Sequence, residues 1–233
     1  MIYVTSDLHG YPLEKFKELL DRAGFGDDDF LFILGDVIDR GEHSVDILKW
    51  LLVQPNVELI LGNHEAMMLS CSFLFDEITE DSLDALDSRK ISLLRNWKSN
   101  GAEATMEALA RETPETRGDI LEYLREAPIY DSVSVGGRDF LLVHGGLGGY
   151  SPERKLSDYS EGELVWTRPY LEDRYSDRFM TVLGHTPTCF FGPEYKGRMI
   201  KTDTWINIDT GAACSLSPML LRLDDMQEFY VEE

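Results

Sequence analysis

Cysteine is scarce in this chain, and its three copies, Cys71, Cys189 and Cys214, are far apart. An odd number at such spacings excludes a disulfide framework and a paired-cysteine metal site, so buried structural thiols are expected. No segment approaches the ~18 continuous apolar residues that span a bilayer. Residues 1–4 run directly into a polar motif, with no basic start and no cleavable apolar region. These absences predict a protein of a reducing cytoplasm.

Positive charge is also in short supply. Lys and Arg total 22 and Asp and Glu total 43, which gives a net charge of −21. Nucleic-acid binding needs clustered Lys and Arg, and an anionic membrane surface would repel this chain. We therefore expect neither partner, and we expect any phosphate to be held by a few fixed groups.

Histidine is rare but not scattered. The chain has five histidines, and four of them lie in short polar runs that also carry Asp, Asn and Gly. Five runs of this kind follow apolar stretches: Ser6-Asp7-Leu8-His9-Gly10, Gly35-Asp36-Val37-Ile38-Asp39-Arg40-Gly41, Gly62-Asn63-His64-Glu65, His144-Gly145-Gly146 and Gly184-His185-Thr186-Pro187. The fifth histidine, His43, matches no such run and is expected to be a solvated residue at a helix start.

The apolar stretches predict the architecture. Residues 1–4, 30–34 and 57–61 are expected to be strands, with helices over 13–24 and 44–53 between them, which favours a largely parallel sheet. A hairpin is expected across Gly136-Gly137, and further strands at 180–183, 205–208 and 219–223. Ligands collect at the carboxyl ends of parallel strands, where the polar runs lie. Residues 66–127 have a helical pattern, so we expect one domain over 1–233 with a helical insertion at about 66–127.

The residue types in these runs suit divalent metals. In an extended segment, Asp7 and His9 would point the same way, and one ion could take both. The Asp36 carboxylate could bridge to a second ion, for which further neutral donors are Asn63, His144 and His185. Mixed oxygen and nitrogen donors favour Mn²⁺, Fe or Zn²⁺ over Ca²⁺. Two such ions can clamp a phosphate during in-line displacement.

Three neighbouring residues could complete a phosphate hydrolase. His64 need not bind metal and could protonate a leaving alkoxide as general acid. Asp39 could orient its imidazole, as carboxylates commonly do, although a loop-capping role is the alternative. Arg40 offers a bidentate grip on phosphate oxygens.

Taken in order, the runs SDLHG, GDVIDRG, GNHE, HGG and GHTP resemble the signature of the calcineurin-like metallophosphoesterases, and most closely the phage lambda-type and bacterial serine/threonine phosphoprotein phosphatases. The resemblance implies an α/β fold of two mixed β-sheets flanked by helices, and direct hydrolysis by a hydroxide that bridges two metal ions, usually Mn²⁺. It implies that Asp7, His9 and Asp36 hold the first metal, and Asp36, Asn63, His144 and His185 the second. By the same match, Arg168 in the run Trp166-Thr167-Arg168 would bind phosphate beside Arg40.

Several functions are compatible with these motifs. The leading expectation is hydrolysis of phosphoserine or phosphothreonine in a protein or peptide partner. A second is hydrolysis of diadenosine tetraphosphate, as in the symmetrical tetraphosphatases of the same superfamily, which would need a pocket for the nucleosides. A small phosphoester or cyclic nucleotide is a third, and a non-catalytic metal-binding module a fourth. The sequence makes no prediction about oligomeric state.

Overall fold

Two stacked five-stranded sheets place the polar runs at their ends. The computed structural model of the chain describes residues 1–75 and 87–231, and these ranges contain ten strands. The strands are β1 (Ile2–Thr5), β2 (Phe30–Leu34), β3 (Val57–Ile60), β4 (Tyr130–Val135), β5 (Arg138–Val143), β6 (Met180–Leu183), β7 (Ile200–Lys201), β8 (Trp205–Asn207), β9 (Met219–Arg222) and β10 (Gln227–Tyr230). One sheet has the order β10-β9-β1-β2-β3 and the other β4-β5-β6-β8-β7.

Both sheets are mixed. β1, β2 and β3 run parallel, whereas β9 and β10 are antiparallel additions to the same sheet. In the second sheet, β5, β6 and β8 run parallel and the edge strands β4 and β7 are antiparallel. The expected pair of mixed sheets is therefore confirmed. Each sheet brings three parallel strand ends to one edge.

Alternation along the strands divides the core into layers, because successive strand side chains point to opposite faces. Val4 and Phe32 of the first sheet pack with Leu142, Val182 and Ile206 of the second, in the layer between the sheets. The alternate residues of the first sheet pack against helices, and those of the second against the loops around residues 159–175. The sheets are thus covered on both faces.

Seven α-helices occur in the described ranges: α1 (Leu13–Ala23), α2 (Ser44–Leu51), α3 (Asn63–Ser70), α4 (Ser88–Ser99), α5 (Glu103–Arg111), α6 (Pro114–Glu126) and α7 (Glu161–Val165). As expected, α1 follows Pro12 and ends at Gly24, which adopts the left-handed conformation at φ 75°. None of these helices is both long and apolar enough to cross a membrane.

The insertion forms helices α3 to α6, between β3 and β4. Asn100-Gly101 separates α4 from α5, and Thr113 caps α6 by accepting a hydrogen bond from the Thr116 amide at 3.1 Å. Residues 76–86, which include two leucines of the predicted helical pattern, lie outside the described residues. That these helices and the sheets form a single domain stays a prediction.

Two expectations need correction. β7 and β10 were not predicted, because two- and four-residue edge strands with exposed faces carry no continuous apolar run. The cysteines are all free, but only Cys71 is buried, while Cys214 is exposed. The expectation of three buried thiols is therefore wrong, because Cys214 lies in a short 3₁₀ turn that packs no side chain into the core.

The layer between the sheets gives a stability prediction. Leu142 is fully buried there, so Leu142→Ala should lower the free energy of unfolding by about 2–5 kcal/mol through lost burial and a residual cavity. Urea unfolding followed by circular dichroism would measure this. The control Val53→Ala, at a side chain that is 72% exposed, should change stability by less than about 0.5 kcal/mol. Equal effects of the two substitutions would contradict the assigned core.

Candidate metal centre

The carboxyl ends of the parallel strands bring the sequence-predicted ligands together. Asp7 follows β1, Asp36 follows β2, and Asn63 is the first residue of α3 just after β3. His144 and His185 follow β5 and β6 of the other sheet. The six predicted ligands are all buried, with at most 5% of any of them exposed: Asp7, His9, Asp36, Asn63, His144 and His185.

Asp36 lies at the middle of this cluster. One of its carboxylate oxygens is 3.4 Å from His144 Nε2, and the other is 3.6 Å from His9 Nε2. Two groups with ligand atoms within 4.8 Å of one another occur among the described residues: His9, Asp36 and His64, and Asp36, His144 and His185. Asp36 belongs to both groups, which is the position required of a carboxylate that bridges two ions.

Hydrogen bonds set the histidine rings for metal binding. His9 Nδ1 lies 3.0 Å from the Ile38 carbonyl oxygen, and His144 Nδ1 lies 2.6 Å from that of Leu34. Because a carbonyl only accepts, each Nδ1 carries a proton and each Nε2 faces the cluster. His185 Nε2 is buried without a hydrogen-bond partner in the described structure. This donor set fits divalent metal ions and does not specify which metal is bound.

Asp7 and Asn63 complete the set from either side. Asp7 Oδ2 accepts from the His185 amide at 2.9 Å, and Asp7 Oδ1 is 3.9 Å from His9 Nε2. Asn63 Oδ1 lies 2.9 Å from His144 Nε2. The first compact group contains His64, whereas the resemblance implied Asp7 beside His9 and Asp36. Both Asp7 and His64 lie close to His9 and Asp36.

The reason given for pairing Asp7 with His9 is wrong. The segment is not extended: Asp7 and His9 have φ values of 51° and 43°, in the left-handed region. Their positions are fixed by a turn in which the Asp7 amide donates to the Gly35 carbonyl and the His9 amide to the Asp36 carbonyl, at 3.0 and 2.8 Å. Asp7 and His9 are therefore brought together by hydrogen bonds to the neighbouring loop, not by the alternation of side chains along a strand.

Positive φ values are concentrated at this centre. Among the described residues, eight non-glycine residues have positive φ, and six belong to the predicted site: Asp7, His9, Asp36, Asp39, Arg40 and His185. Left-handed conformations cost about 1–2 kcal/mol for residues with a Cβ. Such strain clusters at functional sites, where the surrounding fold enforces it.

Burial and neighbouring charges shift the pKa values of the predicted ligands in both directions. Burial and the proximity of Asp36 raise the pKa of Asp7 to about 6. Burial opposes ionisation of Asp36 too, but the adjacent histidines, His144 foremost, hold its pKa well below the usual range. Burial lowers the pKa of His9 to about 3 and that of His185 to about 2, so both rings are neutral, as metal ligands must be.

His64 and Asp39 form the predicted acid pair. His64 Nδ1 donates to Asp39 Oδ2 at 2.6 Å, and both side chains are buried. Burial disfavours the protonated ring, but the carboxylates of Asp36 and Asp39 raise the pKa of His64 above its usual value. The Nδ1 bond leaves Nε2 facing the centre, where it lies 3.1 Å from Arg40 Nη2.

Both predicted phosphate-binding arginines reach the centre. Arg40 Nη1 lies 3.2 Å from His9 Nε2, and Arg40 Nη2 lies 3.1 Å from His64 Nε2. Arg168 Nη1 donates to the His185 carbonyl at 3.1 Å and is 3.4 Å from Thr186 Oγ1. The structure therefore places one guanidinium from each side of the sandwich beside the ligands.

Three further residues support the centre. Glu65 accepts hydrogen bonds from the amides of Asp36, Val37 and Gly62 at 2.8–3.0 Å, which ties the second and third runs together. A Gly-x-x-Glu sequence at a helix start, which resembles a capping box, could have indicated this role. Trp97 is buried and donates from Nε1 to Asp39 Oδ2 at 2.8 Å.

The third such residue is Asp209, which follows β8 as the other site residues follow their strands. Its side chain is buried, and burial together with the nearby Asp7 raises its pKa well above the usual range. Its carbonyl accepts from the Thr188 amide at 2.9 Å, which holds the loop after His185.

The chain is similar to known proteins in sequence. The family described as calcineurin-like phosphoesterase matches residues 1–204. A symmetrical bis(5'-nucleosyl)-tetraphosphatase from Haemophilus ducreyi is 29% identical over 193 residues, which cover 79% of this chain and 58% of that protein. The chain thus spans less than two thirds of that relative.

Solved structures share the fold at lower identity. A structure described as a candidate diadenosine tetraphosphatase has a TM-score of 0.63 at 18% identity and covers 97% of this chain and 90% of its own. A cold-active protein-tyrosine phosphatase from a Shewanella species has a TM-score of 0.57 at 17% identity, covering 99% of this chain and 80% of its own. These two structures support the fold alone.

Asp36→Asn should abolish binding of both metal ions, because it removes the charge shared by the two ligand groups. After reconstitution of the metal-stripped chain with Mn²⁺ and desalting, elemental analysis should find about two ions per wild-type chain and less than one per variant. Asp46→Asn, at a side chain that is 58% exposed on α2, is the control and should bind as wild type. Two tightly held ions in Asp36→Asn would contradict the bridging position.

Proposed function

This chain belongs to the calcineurin-like phosphoesterase family, and we propose that it is a metal-dependent hydrolase that cleaves dinucleoside tetraphosphates symmetrically into two nucleoside diphosphates. The single observation that carries this substrate class is the 29% identity, over 79% of the chain, to a symmetrical bis(5'-nucleosyl)-tetraphosphatase. It supports the second of the functions expected from the motifs over the first. Because the chain spans 58% of that relative, the substrate remains our proposal.

A phosphoprotein phosphatase is the second candidate. Arg40 and Arg168 both lie beside the predicted ligands, as expected for a centre that grips a single phosphate dianion. No feature of the described structure identifies a polypeptide as the bearer of that phosphate, so this candidate ranks below the first.

The residues of the centre divide the chemistry. Divalent ions held by Asp7, His9, Asp36, Asn63, His144 and His185 would polarise phosphate oxygens and acidify nearby water. Arg40 and Arg168 would hold the phosphate oxygens. The hydrogen bond from His64 Nδ1 to Asp39 leaves Nε2 to give its proton to the oxygen of the departing group. The nearby carboxylates of Asp36 and Asp39 raise the pKa of His64, which favours the protonated ring.

The substrate is tested by parallel turnover. For the chain reconstituted with Mn²⁺, we expect kcat/KM for diadenosine tetraphosphate to exceed that for a phosphothreonine peptide by at least ~10-fold. This ratio corresponds to a difference of about 1.4 kcal/mol in transition-state stabilisation. Chromatography should show ADP as the nucleotide product. Preference for the peptide would move the function to the second candidate, and AMP with ATP as products would contradict symmetrical cleavage.

The general acid is tested by leaving-group dependence. His64→Asn should lower kcat for phenyl phosphate by about 10²–10⁴-fold, because phenoxide is a poor leaving group that needs a proton. The fall for p-nitrophenyl phosphate should be much smaller, because its leaving group is stable as an anion. His43→Asn, at a histidine that is 44% exposed, should leave both rates unchanged. Equal falls on the two substrates, with metal still bound, would contradict the assigned role.

A further inference from the structure

An open cavity adjoins the candidate metal centre on the side of Arg168. It encloses about 420 Å³, within the range of small-molecule sites. Its lining comprises Arg168, Pro169, Tyr170, Leu171, Glu172, Thr186, Phe190 and Phe191. Arg168 belongs both to this wall and to the centre, because its guanidinium donates to the carbonyl of His185. Arg168 and Thr186, which follows His185 in the chain, therefore connect the lining of the cavity to the centre.

Two aromatic side chains of this cavity are left open to solvent. Tyr170 is 74% exposed and Phe190 is 70% exposed, and they are among the six exposed large hydrophobic side chains in the described ranges. The neighbouring Phe191 packs against the buried Trp205, with ring centroids 6.2 Å apart, so the segment that carries Phe190 is anchored. Exposed aromatic surface in a concave site beside a reactive centre is typical of ligand binding.

The charge of the cavity indicates what it can take. Among the described residues that line the cavity, Arg168 and Glu172 carry charge, and the others are apolar, aromatic or hydroxyl-bearing. A second phosphate would find no cation there other than Arg168 among the lining residues and would be repelled by the Glu172 carboxylate. A flat, uncharged ring with hydrogen-bond donors suits the site better. Aromatic side chains stack on any of the nucleobases, and the Glu172 carboxylate can accept hydrogen bonds from amino groups or ribose hydroxyls.

We propose that this cavity is a nucleoside-binding subsite, in which a base stacks on Phe190 and Tyr170 while the attached phosphates extend past Arg168 to the metal ligands. This inference rests on the proposed function, because it identifies how a dinucleoside polyphosphate is held at that centre. The cavity would hold the nucleoside of one half of a symmetrical substrate.

Direct binding tests this subsite without turnover. ADP and inorganic pyrophosphate share a diphosphate and differ in the nucleoside, so their affinities for the Mn²⁺-loaded chain are compared by isothermal titration calorimetry. We expect ADP to bind at least ~10-fold more tightly than pyrophosphate, as base stacking on aromatic rings predicts. Phe190→Ala and Tyr170→Ala should each reduce that ratio several-fold with pyrophosphate affinity unchanged. Phe190→Tyr, which keeps the ring, should preserve the ratio.

Val53→Ala is the matched control, because Val53 is exposed to the same extent and lies outside the cavity. Equal affinities of the wild-type chain for ADP and pyrophosphate would overturn the subsite, as would an unchanged ratio in both alanine variants. A parallel loss of ADP and pyrophosphate binding would also overturn it, since the rings would then support the phosphate site. Failure to hydrolyse diadenosine tetraphosphate, with a ring-dependent preference for ADP intact, would instead contradict the proposed function and leave the subsite standing.

Discussion

The charge of Asp36, buried where the two sheets meet, is the constraint on which the rest of the centre depends. A buried carboxylate is costly unless it is paired and hydrogen-bonded. Asp36 accepts from the His64 amide at 3.0 Å, and His144 and His9 face its two oxygens. Gly62 lies so close that an added Cβ would collide with Asp36 Oδ1. The third polar run, through Gly62 and His64, is therefore packed directly against Asp36 of the second run.

The strained loops of the centre follow from this crowding. Six site residues adopt positive φ, and together these conformations cost several kcal/mol. They persist because each loop is held at both ends, by a strand inside a packed sandwich and by hydrogen bonds to the next loop, such as that from the Gly184 amide to the His144 carbonyl at 2.8 Å. The large apolar core thus offsets a locally unfavourable site.

The sequence predicts the ligand cluster well because parallel strands deliver their carboxyl ends to one edge, and each polar run directly follows its strand. It predicts the conformation of those loops poorly, as the left-handed turn at Asp7 and His9 shows, because contacts with the neighbouring loop decide it. The partnership of Trp97 with Asp39 joins residues 58 apart in the chain. No local pattern marks it, because apolar spacing assigns Trp97 to the core and cannot show where its indole N–H points.

The hydrogen bond between Trp97 and Asp39 is one of several contacts through which the insertion reaches the centre. The sheet ends position most of the predicted metal ligands, whereas the insertion contacts Asp39 and Arg40, two of the groups expected to act on the substrate. Thr105 Oγ1 accepts from the Asp39 amide, and the Gly101 carbonyl accepts from the Arg40 amide, both at 2.9 Å. With Trp97, these contacts fix the partner of His64 and the backbone of a phosphate-binding arginine. Changes in the insertion can therefore alter acid catalysis and phosphate binding while the metal ligands stay in place.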